Sequence, residues 1–316
     1  NKRKAKSPIG KSYNNKKMKI LEIKPKQVEL SQFKKRTALD SDAEQLINYD
    51  CLITENGIPR ILYVKLKNDT DALRWAVKNI KYTTGVRSRG LKSQSAIFGY
   101  RPKVTMRQDF CSSTSMINNF PKQHYFITEY AKKLTEYYRQ YFPEIFEIHE
   151  NIVKEKILGE WMIDGTPFTS GIVNKDNPLK YHHDAGNFKG VLSNMVAFKK
   201  GMKGGRLVFP EYNIKLEIDD NTLSVFDGQS ILHGVTNFEK ENEEAYRYTI
   251  VYYSLEQMWR CDSVNEELNR IRKKKKEREF KRLDPEHLKT LVKRKQSLDT
   301  ASDKEYNAHF NNKKDE

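Results

Sequence analysis

Hydrophobic and polar positions fall into three regimes along the chain. Over 122–142, apolar residues recur at spacings of four or three (Phe126, Tyr130, Leu134, Tyr138, Tyr141), with Pro121 and Pro143 at either end. That period predicts an amphipathic helix whose aromatic stripe packs on a sheet. From 168 to 254 the pattern changes to short apolar runs separated by turn residues. Strands are predicted over 168–174, 191–198, 207–210, 214–218, 222–226 and 246–254, punctuated by Gly204-Gly205, Asp219-Asp220-Asn221 and Asp227-Gly228. Many short strands at near-even spacing indicate a sandwich or jelly roll rather than alternating β and α units.

Upstream, the apolar runs 51–54 and 60–66 flank Asn56-Gly57, a hairpin signal. A short helix is predicted over 71–80, and the polar stretch 83–95 reads as a long loop. Residues 1–40 lack apolar periodicity, so order is expected to begin near Asn48. Residues 262–296 read as a helix with a dense Lys/Arg/Glu run, either a solvated or edge-covering element or a phosphate-contacting one. The expected organisation is a basic disordered tail (1–45), one folded domain (46–261) and a charged helical extension (262–316). The fold class expected is α+β, a jelly-roll core (about 168–254) with supporting helices and a basic C-terminal helix.

Charge sharpens this division. Of the net +16, residues 1–36 contribute +11 and residues 262–316 contribute +4, which leaves the middle nearly neutral. Lys-rich arms favour phosphate through counterion release, while a solvated leader or an import signal at Lys2-Arg3-Lys4 fits the same residues. The three cysteines (Cys51, Cys111, Cys261) are widely spaced without a CxxC pair, which argues against a disulfide framework, a zinc knuckle or a disulfide-linked partner. No run of eighteen apolar residues exists, so no membrane partner is expected, and the expected setting is a reducing, intracellular one.

The chemistry concentrates in Tyr181-His182-His183-Asp184, Leu232-His233-Gly234-Val235 and Tyr246-Arg247-Tyr248-Thr249. On an extended backbone residues i and i+2 face one way, so His182 and Asp184 can share a pocket and His183 points elsewhere. Two His and one carboxylate form a facial triad that leaves coordination positions open, as a 2-oxo acid and dioxygen require. Period-two alternation puts Arg247, Thr249, Val251 and Tyr253 on one face. There a guanidinium can grip a carboxylate bidentately, unless it pairs with Glu243 or Glu244.

These residues carry a family resemblance. Together with Phe168-Thr169-Ser170-Gly171-Ile172-Val173-Asn174, Asp184-Ala185-Gly186-Asn187 and Gly204-Gly205-Arg206-Leu207, the block 168–254 resembles the double-stranded β-helix core of 2-oxoglutarate/iron(II) oxygenases. It most resembles the TET/J-binding-protein group, which oxidises the 5-methyl group of pyrimidines in DNA. Arg87-Ser88-Arg89 ahead of Phe98-Gly99 extends the likeness upstream.

The resemblance implies iron(II) held by His182, Asp184 and His233. It implies 2-oxoglutarate held by Arg247, Thr249 and Asn174, with dioxygen as co-substrate. Asn187 would meet the target base, and Arg87 and Arg89 the co-substrate or the DNA backbone. DNA, with the base extruded from the duplex, is the implied partner. A location in the nucleus, or a cytoplasmic or virus-encoded setting, follows from it. Two alternatives remain open at this point: a protein side-chain hydroxylase with the same triad, and a nucleic-acid-binding module that has lost catalysis.

Overall fold

The Asn56-Gly57 dipeptide turns the chain back on itself with both residues at positive φ (52° and 76°), as a two-residue hairpin of right-handed twist requires. It joins β3 (Cys51–Glu55) to β4 (Ile58–Lys65). The computed structural model describes residues 18–33, 36–86, 92–103, 109–286 and 288–290. Before the hairpin lie β1 (Lys19–Ile23) and β2 (Gln45–Ile47). After it come α1 (Asp71–Lys78), β5 (Thr83–Val86), β6 (Lys92–Arg101), β7 (Ser112–Ser113) and α2 (Ser115–Asn119). Two long helices follow, α3 (Pro121–Tyr141) and α4 (Pro143–Lys156). The strand-rich half holds β8 (Ser170–Lys175), β9 (Ser193–Lys200), β10 (Met202–Gly204), β11 (Leu207–Phe209) and β12 (Ile214–Leu216). It continues with β13 (Thr222–Phe226), β14 (Gly234–Val235), β15 (Phe238–Lys240) and β16 (Tyr246–Tyr253), before α5 (Val264–Leu283).

The large sheet runs β1-β3-β4-β13-β9-β16-β8-β6-β5, with β7 added on β6, and is antiparallel except for the β1–β3 pair. A smaller sheet, β14-β11-β12-β2, lies across from it. Alternation along the central strands sorts side chains onto two faces. Val196, Phe198, Leu223, Val225 and Ile250 meet Leu134 and Tyr138 of α3 in one core. Met195, Ala197 and Phe226 meet Leu207, Phe209 and Leu216 of the smaller sheet in a second. The aromatic stripe of α3 is therefore a packing surface, as its period predicts. Each fully buried side chain of this size contributes about 1.5–3 kcal/mol.

Four expectations are corrected. Residues 83–86 and 92–95 are strand and not loop: β5 and β6 pair there, Thr83 opposite Ser95. Order does not begin near Asn48, because β1 pairs in parallel with β3 and β2 with β12, so part of the predicted tail closes both sheets. The helix α4 starts at Pro143, which the sequence reading took only as the end of α3; Pro at the first helical position starts a helix as readily as it stops one.

Finally, a disulfide joins Cys111 to Cys261, with Cα atoms 5.6 Å apart across 150 residues. Wide spacing in sequence says nothing about distance in a folded chain. Among the described residues no helix is long and apolar enough to cross a membrane.

One buried polar chain links the helices to the strand that ends beside the site. Leu192 N–H donates to Tyr138 Oη (3.0 Å), Tyr138 meets His149 Nδ1 (3.3 Å), His149 Nε2 meets Ser254 Oγ (2.7 Å), and Ser254 donates to Pro167 O (2.6 Å). A carbonyl only accepts, so the protons run one way: Tyr138 donates to Nδ1 and Nε2–H donates to Ser254. Burial pushes His149 down to about 3, which keeps it neutral in this role.

Candidate active site

A cavity of about 490 Å³ opens between the two sheets. His182, Asp184 and His233 stand together in its wall, their donor atoms all within 4.8 Å of one another. His182 Nε2 is 3.4 Å and His233 Nε2 3.9 Å from Asp184 Oδ1. A single antiparallel bridge between His182 and His233 brings the two segments together, rather than a continuous strand. The i,i+2 expectation nevertheless holds: His182 and Asp184 converge, and His183 lies outside the trio, exposed at the cavity's edge.

Backbone contacts set the imidazole orientations. His182 Nδ1 bonds Lys180 O (2.8 Å) and His233 Nδ1 bonds Ile231 O (2.9 Å). Each Nδ1 must carry the proton, which leaves both Nε2 lone pairs directed at the cluster. Burial lowers His233 to about 4, so it stays neutral and able to ligate. Burial raises the Asp184 carboxyl, but the neighbouring His182 and His233 outweigh it and hold it below its ordinary value.

The Asp227-Gly228 turn supports this trio. Asp227 Oδ1 accepts from Gln229 and Ser230 N–H, and Gly228 O accepts from Asp184 N–H (2.8 Å). Any Cβ on Gly228 would overlap the Asp184 carboxylate. Two imidazoles and one carboxylate, with no fourth protein ligand among the described residues, fit a metal that keeps positions open for other ligands.

Arg247 enters the same cavity from β16. It is 2% exposed, and its Nε has no hydrogen-bond partner among the described residues. The ion pair with Glu243 or Glu244 allowed by the sequence does not form: Glu244 pairs instead with Lys200. Asp176 accepts the Arg247 backbone N–H (2.8 Å), not its guanidinium. Burial lowers Arg247 to about 10, still cationic at neutral pH. A buried cation without an anion is costly, and this one faces a cavity that can admit a carboxylate.

Thr249 and Asn174 sit opposite one another on β16 and β8 and line the same cavity. Asn174 Oδ1 accepts from Asn177 Nδ2 (3.3 Å). Val251 and Tyr253 also line it, so the predicted face of β16 is complete. Asn187 lies in the wall as well, its Nδ2 donating to Ser193 Oγ (3.0 Å). Arg87 and Arg89 fall outside the described residues.

Some wall residues escaped the sequence reading. Lys180 lines the cavity two positions before His182, in the same alternation as Asp184, a signal that was present but unused. Met195, Leu207 and Phe226 make its apolar surface and read in sequence only as core. The glycines needed the structure to be understood. Gly205, at φ 74°, lies against Arg247, and Phe98 packs its ring where any side chain on Gly171 would be.

Residues 102–256 match the Tet_JBP family, the oxygenase domain of the 2OGFeDO superfamily. Over those residues, just under half of the chain, it is similar to that oxygenase domain. Thymine dioxygenase JBP1 of Leishmania braziliensis is 26% identical over 149 residues, which make up 46% of this chain and 18% of that protein. The Leishmania major protein of the same name matches to the same extent. The chain thus spans under a fifth of the length of these curated relatives.

Among solved structures, NgTET1 in complex with 5mC DNA superposes with a TM-score of 0.53 at 13% identity, covering 82% of this chain and 91% of that one. At that identity the likeness is one of fold, and it bears out the jelly-roll expectation. The superfamily uses iron(II), 2-oxoglutarate and dioxygen, and the cavity of this chain has a donor set and a buried cation that fit the first two.

Proposed function

We propose that this chain is an iron(II)- and 2-oxoglutarate-dependent dioxygenase that hydroxylates the 5-methyl group of a pyrimidine, 5-methylcytosine or thymine, in double-stranded DNA. The observation that carries the reading is the meeting, in one cavity, of the His182–Asp184–His233 trio and the buried Arg247 guanidinium, which makes no ion pair among the described residues. The printed names of the relatives, a thymine dioxygenase and a protein bound to 5mC DNA, support the choice of a pyrimidine methyl.

The division of labour follows from the side chains. His182, Asp184 and His233 would hold the metal through two imidazole nitrogens and one carboxylate oxygen. Arg247 takes the distal carboxylate of 2-oxoglutarate through its planar fork, and Thr249 and Asn174 flank it. When bound, the metal and co-substrate together supply the oxidising chemistry by which dioxygen is activated. The apolar wall of Met195, Leu207, Phe226 and Val235 keeps water from that chemistry. Asn187 presents its amide to the base, which leaves the duplex at a cost of about a few kcal/mol.

Two assays together test the proposal: iron-dependent succinate release, and nucleoside mass spectrometry after incubation with thymine-containing and 5-methylcytosine-containing duplexes. Hydroxymethyl product on either base is the expected result. Succinate release with every methylpyrimidine untouched and a modified protein or peptide would replace the DNA substrate with a protein side chain. No succinate under any condition would leave a binder.

A further inference from the structure

Helix α5 has two unlike halves. Its start is fixed to the body by a capping box between Ser263 and Glu266 and by the nearly inaccessible Glu267. Glu267 accepts N–H groups of Cys111 (3.1 Å) and Asp262 (2.9 Å) and pairs with Lys103 (2.9 Å) and Arg270 (3.2 Å). Lys274 reaches Asp109 (2.7 Å), and the Cys111–Cys261 disulfide locks the same two segments.

The segment leading into that root borders the cavity. Leu255 lines the cavity, Glu256 N–H donates to Gly186 O, and Asn187 bridges to Leu255. From Lys275 to Leu283 every residue is exposed. This free half covers about 13 Å at 1.5 Å per residue.

Arg272, Lys273, Lys275, Lys276, Arg278 and Lys281 form no ion pair among the described residues. Nine basic residues stand against four acidic ones over the whole helix. A helical half that is exposed on every side and mostly charged is not explained by the core. Clustered like charges repel one another, and a polyanion relieves that repulsion.

We infer that α5 is a phosphate-tracking arm: its free half binds the backbone of the duplex whose base enters the cavity. The inference rests on the DNA-directed reading above and names the element that holds the flanking duplex. Phosphates lie about 3.4 Å apart along each strand, so the free half can meet about four of them. The fixed root gives that contact a set position relative to the cavity. Duplex phosphate suits the arm better than a protein partner, because five basic side chains of the free half outnumber its two exposed apolar ones, Phe280 and Leu283, which are confined to its last turn.

The test uses the full chain and the triple variant Lys275→Gln/Lys276→Gln/Arg278→Gln, with fluorescence anisotropy on a 30-base-pair duplex across a salt series. Each lost phosphate contact flattens the slope of log affinity against log salt by about 0.9. The expected result is a slope flatter by about 2–3 and at least about tenfold weaker binding at low salt, with 2-oxoglutarate turnover unchanged. The triple Lys275→Arg/Lys276→Arg/Arg278→Lys should bind as the parent does. Equal slopes for parent and Gln variant overturn the arm, as does a change of oligomeric state without a change of DNA binding. If the parent shows the arm-dependent slope yet oxidises no base, the catalytic reading fails and the arm stands. If the parent oxidises DNA and the slopes coincide, the reverse holds.

Discussion

Gly205 lies directly against Arg247: a Cβ built on the glycine would stand 3.2 Å from the guanidinium Nε and 3.3 Å from Cδ. Gly205 also sits at φ 74°, where an L side chain is strained. The glycine therefore shapes the seat of the buried cation. Gly205→Ala should weaken 2-oxoglutarate binding while leaving the metal trio intact. Arg247→Ala should weaken it further, by about 1.5–3 kcal/mol, or about ten- to a hundredfold, the worth of a hydrogen bond to a charged group. Calorimetric titration of 2-oxoglutarate into the metal-loaded variants measures both. An unchanged affinity in Arg247→Ala would remove that residue from the co-substrate site.

The metal trio makes a sharper demand on one carboxylate. His182→Ala, Asp184→Ala and His233→Ala should each lose iron, and His183→Ala should retain it, because His183 stands outside the cluster. Gly228→Ala should also lose iron without touching a ligand, since its Cβ displaces the Asp184 carboxylate. Iron content of the purified proteins after anaerobic loading decides each case. Iron loss in His183→Ala with retention in His182→Ala would reverse the assignment.

The trio and Arg247 were legible in the sequence because two short-range rules locate them. The i,i+2 rule pairs His182 with Asp184, and alternation on a strand puts Arg247 beside Thr249. His233 was marked by the Asp227-Gly228 turn and the strand-like run 231–235, and the resemblance added weight to it. The hairpin at Asn56-Gly57, α3 and the central strands were legible through turn chemistry and period. Strand β1 was not: the lysines that flank its short apolar run hide a pairing with β3 that only long-range register reveals. The same holds for Cys111 and Cys261, whose meeting is a product of the fold. The hairpin β5–β6 was misread because Ser, Thr and Gly serve exposed strands as readily as loops. Gly205 and Gly228 read as turns, and their second role, leaving room for Arg247 and Asp184, is invisible without the third dimension.

The disulfide gives an independent check on how the arm is rooted. Cys51 is buried and free, so unfolded, unreduced protein should show one reactive thiol and reduced protein three. Closing so long a loop stabilises by about 2–4 kcal/mol. Cys111→Ser/Cys261→Ser should therefore unfold at lower denaturant than the oxidised parent. Thiol titration and urea melts with and without reductant read both. Three reactive thiols in the unreduced parent would show the pair as dithiol, and Glu267 with its partners would then hold α5 alone.

Asn187 offers the strictest test of the base. The sequence alone allows an Asx turn, in which the amide bonds its own loop. In the fold its Nδ2 instead donates to Ser193 Oγ on β9, and its carbonyl oxygen on the backbone accepts from Gln229 Nε2 (3.2 Å). The residue is thus fixed from two sides in the cavity wall, three positions beyond the metal-site Asp184. Held there, an amide can read the edge of a pyrimidine. Asn187→Ala leaves a buried partner unpaired, worth about 1–3 kcal/mol, and should slow base hydroxylation by about five- to a hundredfold. Succinate release uncoupled from DNA oxidation should survive, because the metal trio and Arg247 are untouched. Ser193→Ala should produce a smaller loss of the same kind, by freeing the amide to turn away. Mass-spectrometric product formation set against succinate release separates the two effects. Parallel losses of both in Asn187→Ala would mean that the residue packs the cavity and reads nothing.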